Sequence, residues 1–264
     1  MPGSEVDAGP ALEAAARLGP YFAWLPNALG PSDGWRPMAD LLDPAVVAER
    51  VDAGRRVLCR MSGLSSDEIE ERAVASTIFL GLASRLLSPV LAAATVAGVL
   101  PLAESARLWW RPVEGGPMPI AFAGLPAVDC AEWDAVGVAG AFTRTAIRSL
   151  VEPVLDVFGE RFALSSQVLW GNVASALGGA AGMIAGHSPH LAGRSAAIVG
   201  AVLATPPLTG MAELVRPDPD RARWFLVRRN CCLYYRIPGG GTCGDCVLTP
   251  EDERRRHWRS VLSR

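Results

Sequence analysis

Past an acidic, proline-rich lead-in that ends near residue 40, apolar and polar positions follow a mostly helical pattern. The stretch 44–61 reads as one helix. Ser65 with Glu68 three positions later has the form of a capping box and predicts a second helix over about 65–87. Residues 108–128 carry prolines and the Trp109 and Trp110 pair, so short strands and loop are expected there. Helical patterns resume over about 131–158 and 165–186. They return over 192–204, after the segment HSPH at 187–190, until Pro206 and Pro207 break them. Residues 223–229 alternate poorly but are rich in Trp, Phe, Leu and Val, which predicts a strand. Thr249, Pro250 and the acids after them have the form of an N-cap, a first helical position and an acidic first turn. The expected fold is therefore mainly α, an α+β chain with a few short strands. A helical body with its proline-rich lead-in occupies 1–220, and a cysteine-bearing loop followed by a terminal helix occupies 221–264.

The longest apolar run, 86–103, approaches membrane-spanning length. Ser88, Pro89, Thr95 and Pro101 interrupt it and Arg85 and Glu104 bracket it, so burial inside the protein is expected. Gly178, Gly182 and Gly186 fall four apart and share one helix face, where small residues permit close helix contact. A dinucleotide loop needs a different glycine spacing at a strand-to-helix turn, so no nicotinamide or flavin site is expected. No nucleophile elbow, zinc-protease motif or phosphate loop occurs.

At 264 residues, half of them hydrophobic, the chain buries a core without needing disulfides or a metal for that purpose. The formal net charge of −2 hides an asymmetry. Residues 221–264 carry ten arginines against Asp245, Glu251, Asp252 and Glu253, which is +6, so 1–220 carry −8. The N-terminus begins with acids, proline and glycine, unlike a secretory signal, and the expected compartment is the cytoplasm. Thiols stay reduced there, and a tight cysteine cluster points to metal.

Four of the six cysteines, Cys231, Cys232, Cys243 and Cys246, fall within sixteen positions spaced C-C-x10-C-x2-C. The C-x2-C half suits zinc or iron, because its turn aims two thiolates at one metal and can point backbone N–H groups at sulfur. The adjacent pair fits a binuclear [2Fe–2S] cluster better than a mononuclear zinc knuckle, since neighbouring cysteines converge on one ion only with a contorted peptide. Arg228, Arg229 and Arg236 flank the cysteines, balancing thiolate charge or docking an anionic partner. A structural zinc knob in a nucleic-acid-binding module, using the arginine-rich run 254–259, stays open at this point. His187 and His190 are expected to serve a helix-start loop, and Cys59 and Cys130 to be ordinary small apolar residues.

The signature R-x-x-C-C-L-Y-Y-R-I-P-G-G-G-T-C-G-D-C resembles that of the FhuF-type ferric-siderophore reductases, and the upstream segment LWGNVAS at 169–175 also resembles a stretch of that family. The resemblance covers about 165–250. It implies that Cys231, Cys232, Cys243 and Cys246 hold a [2Fe–2S] cluster and that the protein is a cytoplasmic ferric-siderophore reductase. Such a protein takes a ferric siderophore as substrate and draws electrons from an external donor such as a ferredoxin or a reductase. Arg228, Arg229, Arg236, Tyr234 and Tyr235 are the expected surroundings of the cluster or of a docked chelate. Trp170 is expected as core or pocket wall, and Asn172 as a hydrogen-bonder within reach of a ligand. No nucleic-acid partner and no transmembrane span are expected; peripheral association with a membrane is compatible with the pattern. A siderophore-binding protein whose cluster is only structural is the remaining alternative.

Overall fold

The computed structural model describes residues 5–26 and 34–263. In chain order its elements are β1 (Glu5–Asp7), α1 (Gly9–Ala16), β2 (Trp24–Pro26), β3 (Arg36–Pro37), α2 (Pro44–Ser62), α3 (Glu71–Ala92), β4 (Val99–Pro101), β5 (Leu108–Trp110), β6 (Ile120–Phe122) and β7 (Pro126–Asp129). Then follow α4 (Ala135–Phe142), α5 (Glu152–Phe162), α6 (Ser166–His187), α7 (Ala192–Leu203), β8 (Ala212–Val215), β9 (Phe225–Arg228) and α8 (Glu251–Leu262). The chain is mainly helical with small sheets: β1-β7-β4, β2-β6-β5-β3 and the hairpin β8-β9.

α3 and α6 pack along each other at the centre. Both are apolar on nearly every side, as core helices are, and Phe79, Leu86 and Leu87 of α3 and Val173, Leu177 and Ile184 of α6 are fully buried. The stretch Glu71–Ala97 and the helix Ser166–His187 are long and apolar enough to cross a membrane, but 72% and 67% of their most apolar windows are buried inside this protein.

Local signals account for most boundaries. Asp43 opens α2 by accepting the Ala45 N–H at 2.8 Å with Pro44 in the first turn, and Gly63 closes it at φ 73°. Ser165 and Asp134 cap α6 and α4 in the same way. Three expectations need correction. The capping box at Ser65 forms, with the Ser65 N–H donating to Glu68 Oε2 at 2.9 Å, but it closes only a single 3₁₀ turn, Ser66–Glu68. The chain then runs extended because Ile69 is fully buried and Arg55 Nε captures its carbonyl at 3.0 Å, so α3 starts at Glu71. The predicted helix over 131–158 starts only at Ala135, is π-helical over Thr143–Val151 and continues to Phe162. The last helix takes Pro250, not Thr249, as its N-cap, and Glu251, Asp252 and Glu253 fill its first turn.

The glycine face of α6 meets a strand rather than a helix. A Cβ on Gly178 would stand 2.6 Å from Leu226 Cβ, and the Arg223 side chain lies over Gly182 and Gly186, with its Nη1 donating to Gly182 O at 2.6 Å. These small residues let β9 lie down on α6, which sets where the chain leaves the sheet and enters the cysteine loop.

Candidate metal centre

β9 ends at Arg228 and, after Arg229 and Asn230, delivers the adjacent Cys231 and Cys232. Leu233, in the left-handed region at φ 67°, turns the chain into the short helical turn Tyr234–Arg236, and buried Ile237 anchors it. Gly239 and Gly241 take φ of 76° and 68°, and a Cβ on Gly240 would stand 2.9 Å from Tyr234 O, so the glycines are needed to bring the chain back. Cys243 and Cys246 lie on a tight turn closed by the Cys246 N–H to Cys243 O at 3.1 Å. The Arg228 N–H donates to Asp245 O at 3.1 Å and ties this turn to the end of β9.

All four thiols are free. The sulfurs of Cys232 and Cys243 approach to 3.5 Å, and the Leu233 and Leu248 N–H groups point at Cys231 Sγ (3.3 Å) and Cys246 Sγ (3.4 Å). Such N–H donors are the pattern expected around thiolate ligands. The Cys243 thiol stabilises a thiolate on Cys232, which together with the nearby Arg228 guanidinium brings Cys232 down to about 6. The same contact, with burial, pushes Cys243 well above the ordinary thiol range. Burial pushes Cys231 up.

Beneath the loop lies a buried polar network. Arg228 is 1% exposed and Asn172 and Ser76 are fully buried. Arg228 Nη2 donates to Asn172 Oδ1 at 2.9 Å and to Asn230 Oδ1 at 3.1 Å. Asn172 Nδ2 in turn donates to Ser76 O and Oγ, both at 2.9 Å, and Ser76 Oγ donates to Cys232 O at 2.7 Å. Two central helices and β9 thus grip the backbone of the adjacent cysteines. Gly171 makes room for the network: a Cβ there would stand 1.7 Å from Asn230 Oδ1.

The guanidinium of Arg228 makes no ion pair among the described residues, and its Nε and Nη1 are buried without an acceptor. An uncompensated buried cation is costly. Four thiols and a buried cation together suit an anionic cofactor whose charge the guanidinium balances. Among the described residues no three His, Cys, Asp or Glu side chains converge on a single metal ion. A binuclear cluster asks less of each point in space, because its cysteines divide between two irons.

The other expected residues scatter around this centre. Arg228 and Asn172 are interior and do not face solvent, so neither meets a docked ligand from this position; Trp170 is core at 8% exposure. Tyr234 is half-buried and Tyr235 is exposed. Arg229 is exposed and pairs with Glu213 at 3.3 Å, while Arg236 pairs with Glu70 at 3.0 Å and lies over the Tyr235 ring. In the arginine run of α8, Arg255 pairs with Glu251 and Arg256 with Asp252, each one turn away. Cys130 is fully buried and Cys59 half-buried. Ser76, Gly171 and Asn230 carry no motif in the sequence; only the LWGNVAS segment hinted at Gly171.

Residues 228–248 match the family model of the FhuF 2Fe-2S C-terminal domain. No curated protein matches the chain. Among solved structures it is similar to aerobactin synthetase IucC from a hypervirulent pathotype of Klebsiella pneumoniae, at 14% identity and a TM-score of 0.42 over 64% of this chain. The match spans 32% of that protein, so the chain covers about a third of its length, and a likeness this distant says nothing of chemistry. The loop that β9 and the buried Arg228 support is thus the segment that matches the FhuF 2Fe-2S C-terminal domain, and this match supports a [2Fe–2S] cluster as its cofactor.

Proposed function

We propose that this protein is a ferric-siderophore reductase of the cytoplasm, in which Cys231, Cys232, Cys243 and Cys246 hold the [2Fe–2S] cluster. The observation that carries the reading is the pairing of a four-thiol loop, half-buried at Cys231 and Cys243 and buried at Cys232 and Cys246, with the buried, unpaired Arg228 guanidinium behind it. When bound, a [2Fe–2S] cluster supplies one-electron transfer.

The chain's own residues supply the rest. Arg228 places a fixed positive charge where water does not screen it, which favours the more negative redox state. The Leu233 and Leu248 N–H groups act in the same direction. Ser76 and Asn172 hold the loop against α3 and α6, so the sulfurs need not reorganise when charge changes. Arg229 and Arg236, each paired with a carboxylate, and exposed Tyr235 present a polar, partly aromatic rim to an approaching partner.

The substrate is Fe(III) in an oxygen chelate. One electron converts it to Fe(II), a softer cation of lower charge that anionic oxygen ligands hold poorly, so reduction is release. The electron comes from a separate donor protein such as a ferredoxin or a reductase, since the chain has no nicotinamide or flavin motif of its own.

The test is the visible spectrum of anaerobically purified protein before and after dithionite, with about two irons and two acid-labile sulfides per chain. Reduced protein mixed with a ferric chelate and an Fe(II) trap is expected to reoxidise as trapped Fe(II) appears. A colourless protein with stoichiometric zinc defeats the proposal. So does a Cys243→Ser variant that keeps full cluster content and full reduction.

A further inference from the structure

A cleft of about 1050 Å³ opens between α8 and the β8-β9 hairpin, beside the cysteine loop. Arg254, Trp258 and Arg259 line it from α8, Val215 and Val227 add apolar side chains from the hairpin, and Arg221 lines it from the connection between the two strands. The cleft is cationic once its internal pairs are counted. Of its three carboxylates, Glu251 is taken by Arg255 and Glu213 by Arg229. Asp218 remains and accepts the N–H of Asp220 in its own loop at 2.9 Å. Among the described residues, Arg221, Arg254 and Arg259 have no carboxylate partner.

Two further observations point to a missing acceptor. Trp258 is 7% exposed and its Nε1 has no hydrogen-bond partner, and Arg254 Nε is likewise buried without one. Arg254 also belongs to the cofactor loop, since its Nη2 donates to Cys246 O at 3.3 Å and to Thr249 O at 2.8 Å. One guanidinium therefore joins the cleft to the backbone of a proposed cluster ligand.

We propose that this cleft is the substrate site, and that it takes an anionic ferric chelate bearing free carboxylates, which meet Arg221, Arg254, Arg259 and the Trp258 Nε1 while the apolar part of the chelator lies on Val215 and Val227. The proposal rests on the reductase reading above. Planar guanidinium groups match carboxylates in a two-point fit. The concave shape favours a compact ligand: pockets for small molecules run to about 300–1,000 Å³, whereas a donor protein needs a face that buries about 800 Å² on each side.

The test uses full-length, cluster-loaded protein and gallium(III) citrate, a redox-inert polycarboxylate complex, titrated calorimetrically. Saturable one-to-one binding is expected, weakened about tenfold or more by Arg259→Glu, the scale of one lost charged hydrogen bond. Arg256→Glu makes the same change in net charge outside the cleft and is expected to shift affinity by less than about twofold, since Arg256 is an exposed residue of α8 that does not line the cleft and its charge is screened by solvent. No saturable binding, or equal losses in the two variants, overturns the proposal. It is also overturned if Arg259→Glu leaves citrate binding intact and instead slows reduction by ferredoxin, which makes the cleft a donor site. The two readings fail separately. Gallium binding with no reoxidation by ferric citrate defeats the reductase and leaves the cleft. Reoxidation by ferric citrate that is undiminished in Arg259→Glu defeats the cleft and leaves the reductase.

Discussion

Replacing Gly171 by alanine adds one methyl group on α6 at the most crowded point beneath the cysteine loop. The new Cβ would stand 1.7 Å from Asn230 Oδ1 and 2.7 Å from Arg228 Nη2, whereas such contacts do not close below 3.0 Å. The Asn230 amide must therefore retreat by about 1.3 Å, the difference between those limits, and the guanidinium must move with it. That movement breaks the bonds of Arg228 Nη2 to Asn172 Oδ1 and Asn230 Oδ1. Each hydrogen bond to a charged group contributes about 1.5–3 kcal/mol, and alanine recovers about 1 kcal/mol of helix propensity, so the net loss is about 2–5 kcal/mol. For a chain of this size each kcal/mol moves the melting temperature by about 2–4 °C. Gly179→Ala is the matched control: it lies on the same helix, exposed, with nothing within 4 Å of its Cβ, and should stabilise by up to about 1 kcal/mol. Urea unfolding of both variants, followed by circular dichroism and by the visible absorbance of the cofactor, measures the contrast. Equal stability of the two variants with unchanged absorbance would refute the seat assigned to Arg228.

Three other changes probe neighbouring features. Gly178→Ala drives a Cβ to 2.6 Å from Leu226 Cβ and should lower stability by about 1–3 kcal/mol through overpacking, while leaving the spectrum intact; a gain in stability would contradict the close seat of β9. Ser76→Ala removes the donor to the buried Cys232 carbonyl, which should cost about 1–3 kcal/mol and speed bleaching by an iron chelator; a bleaching rate equal to wild type would show that the tie is idle. Arg228→Met is expected to act in opposite directions. It should relieve the cluster-free protein of an unpaired buried cation while removing the two bonds to Asn172 and Asn230, so that stability falls by less than in Gly171→Ala, and it should lower the reduction potential of the loaded protein in a spectral redox titration; an unchanged or higher potential argues against a charge-balancing role.

Much of this protein is legible locally. Caps at Asp43, Asp134 and Ser165 act through hydrogen bonds within three residues, and the glycines of the cysteine loop act through their own backbone angles. A reader of the sequence therefore finds most of the helices, the strand into the loop and the four clustered cysteines. The capping box at Ser65 was legible too, but what it caps was not, because the burial of Ile69 and the reach of Arg55 are tertiary facts.

The sequence alone determined most of the helices, the cysteine cluster and the excess of arginine around it, since each depends on neighbours in the chain. Only the tertiary structure decided what those arginines do. Ser76 and Asn172 stand 96 positions apart, and Asn172 and Arg228 another 56, yet they form one hydrogen-bonded line to Cys232. No local pattern encodes such a line, because its members meet only when α3, α6 and β9 pack. The same packing buries Arg228, leaves Arg229 and Arg236 at the surface, and turns one face of the terminal helix into the wall of a cleft.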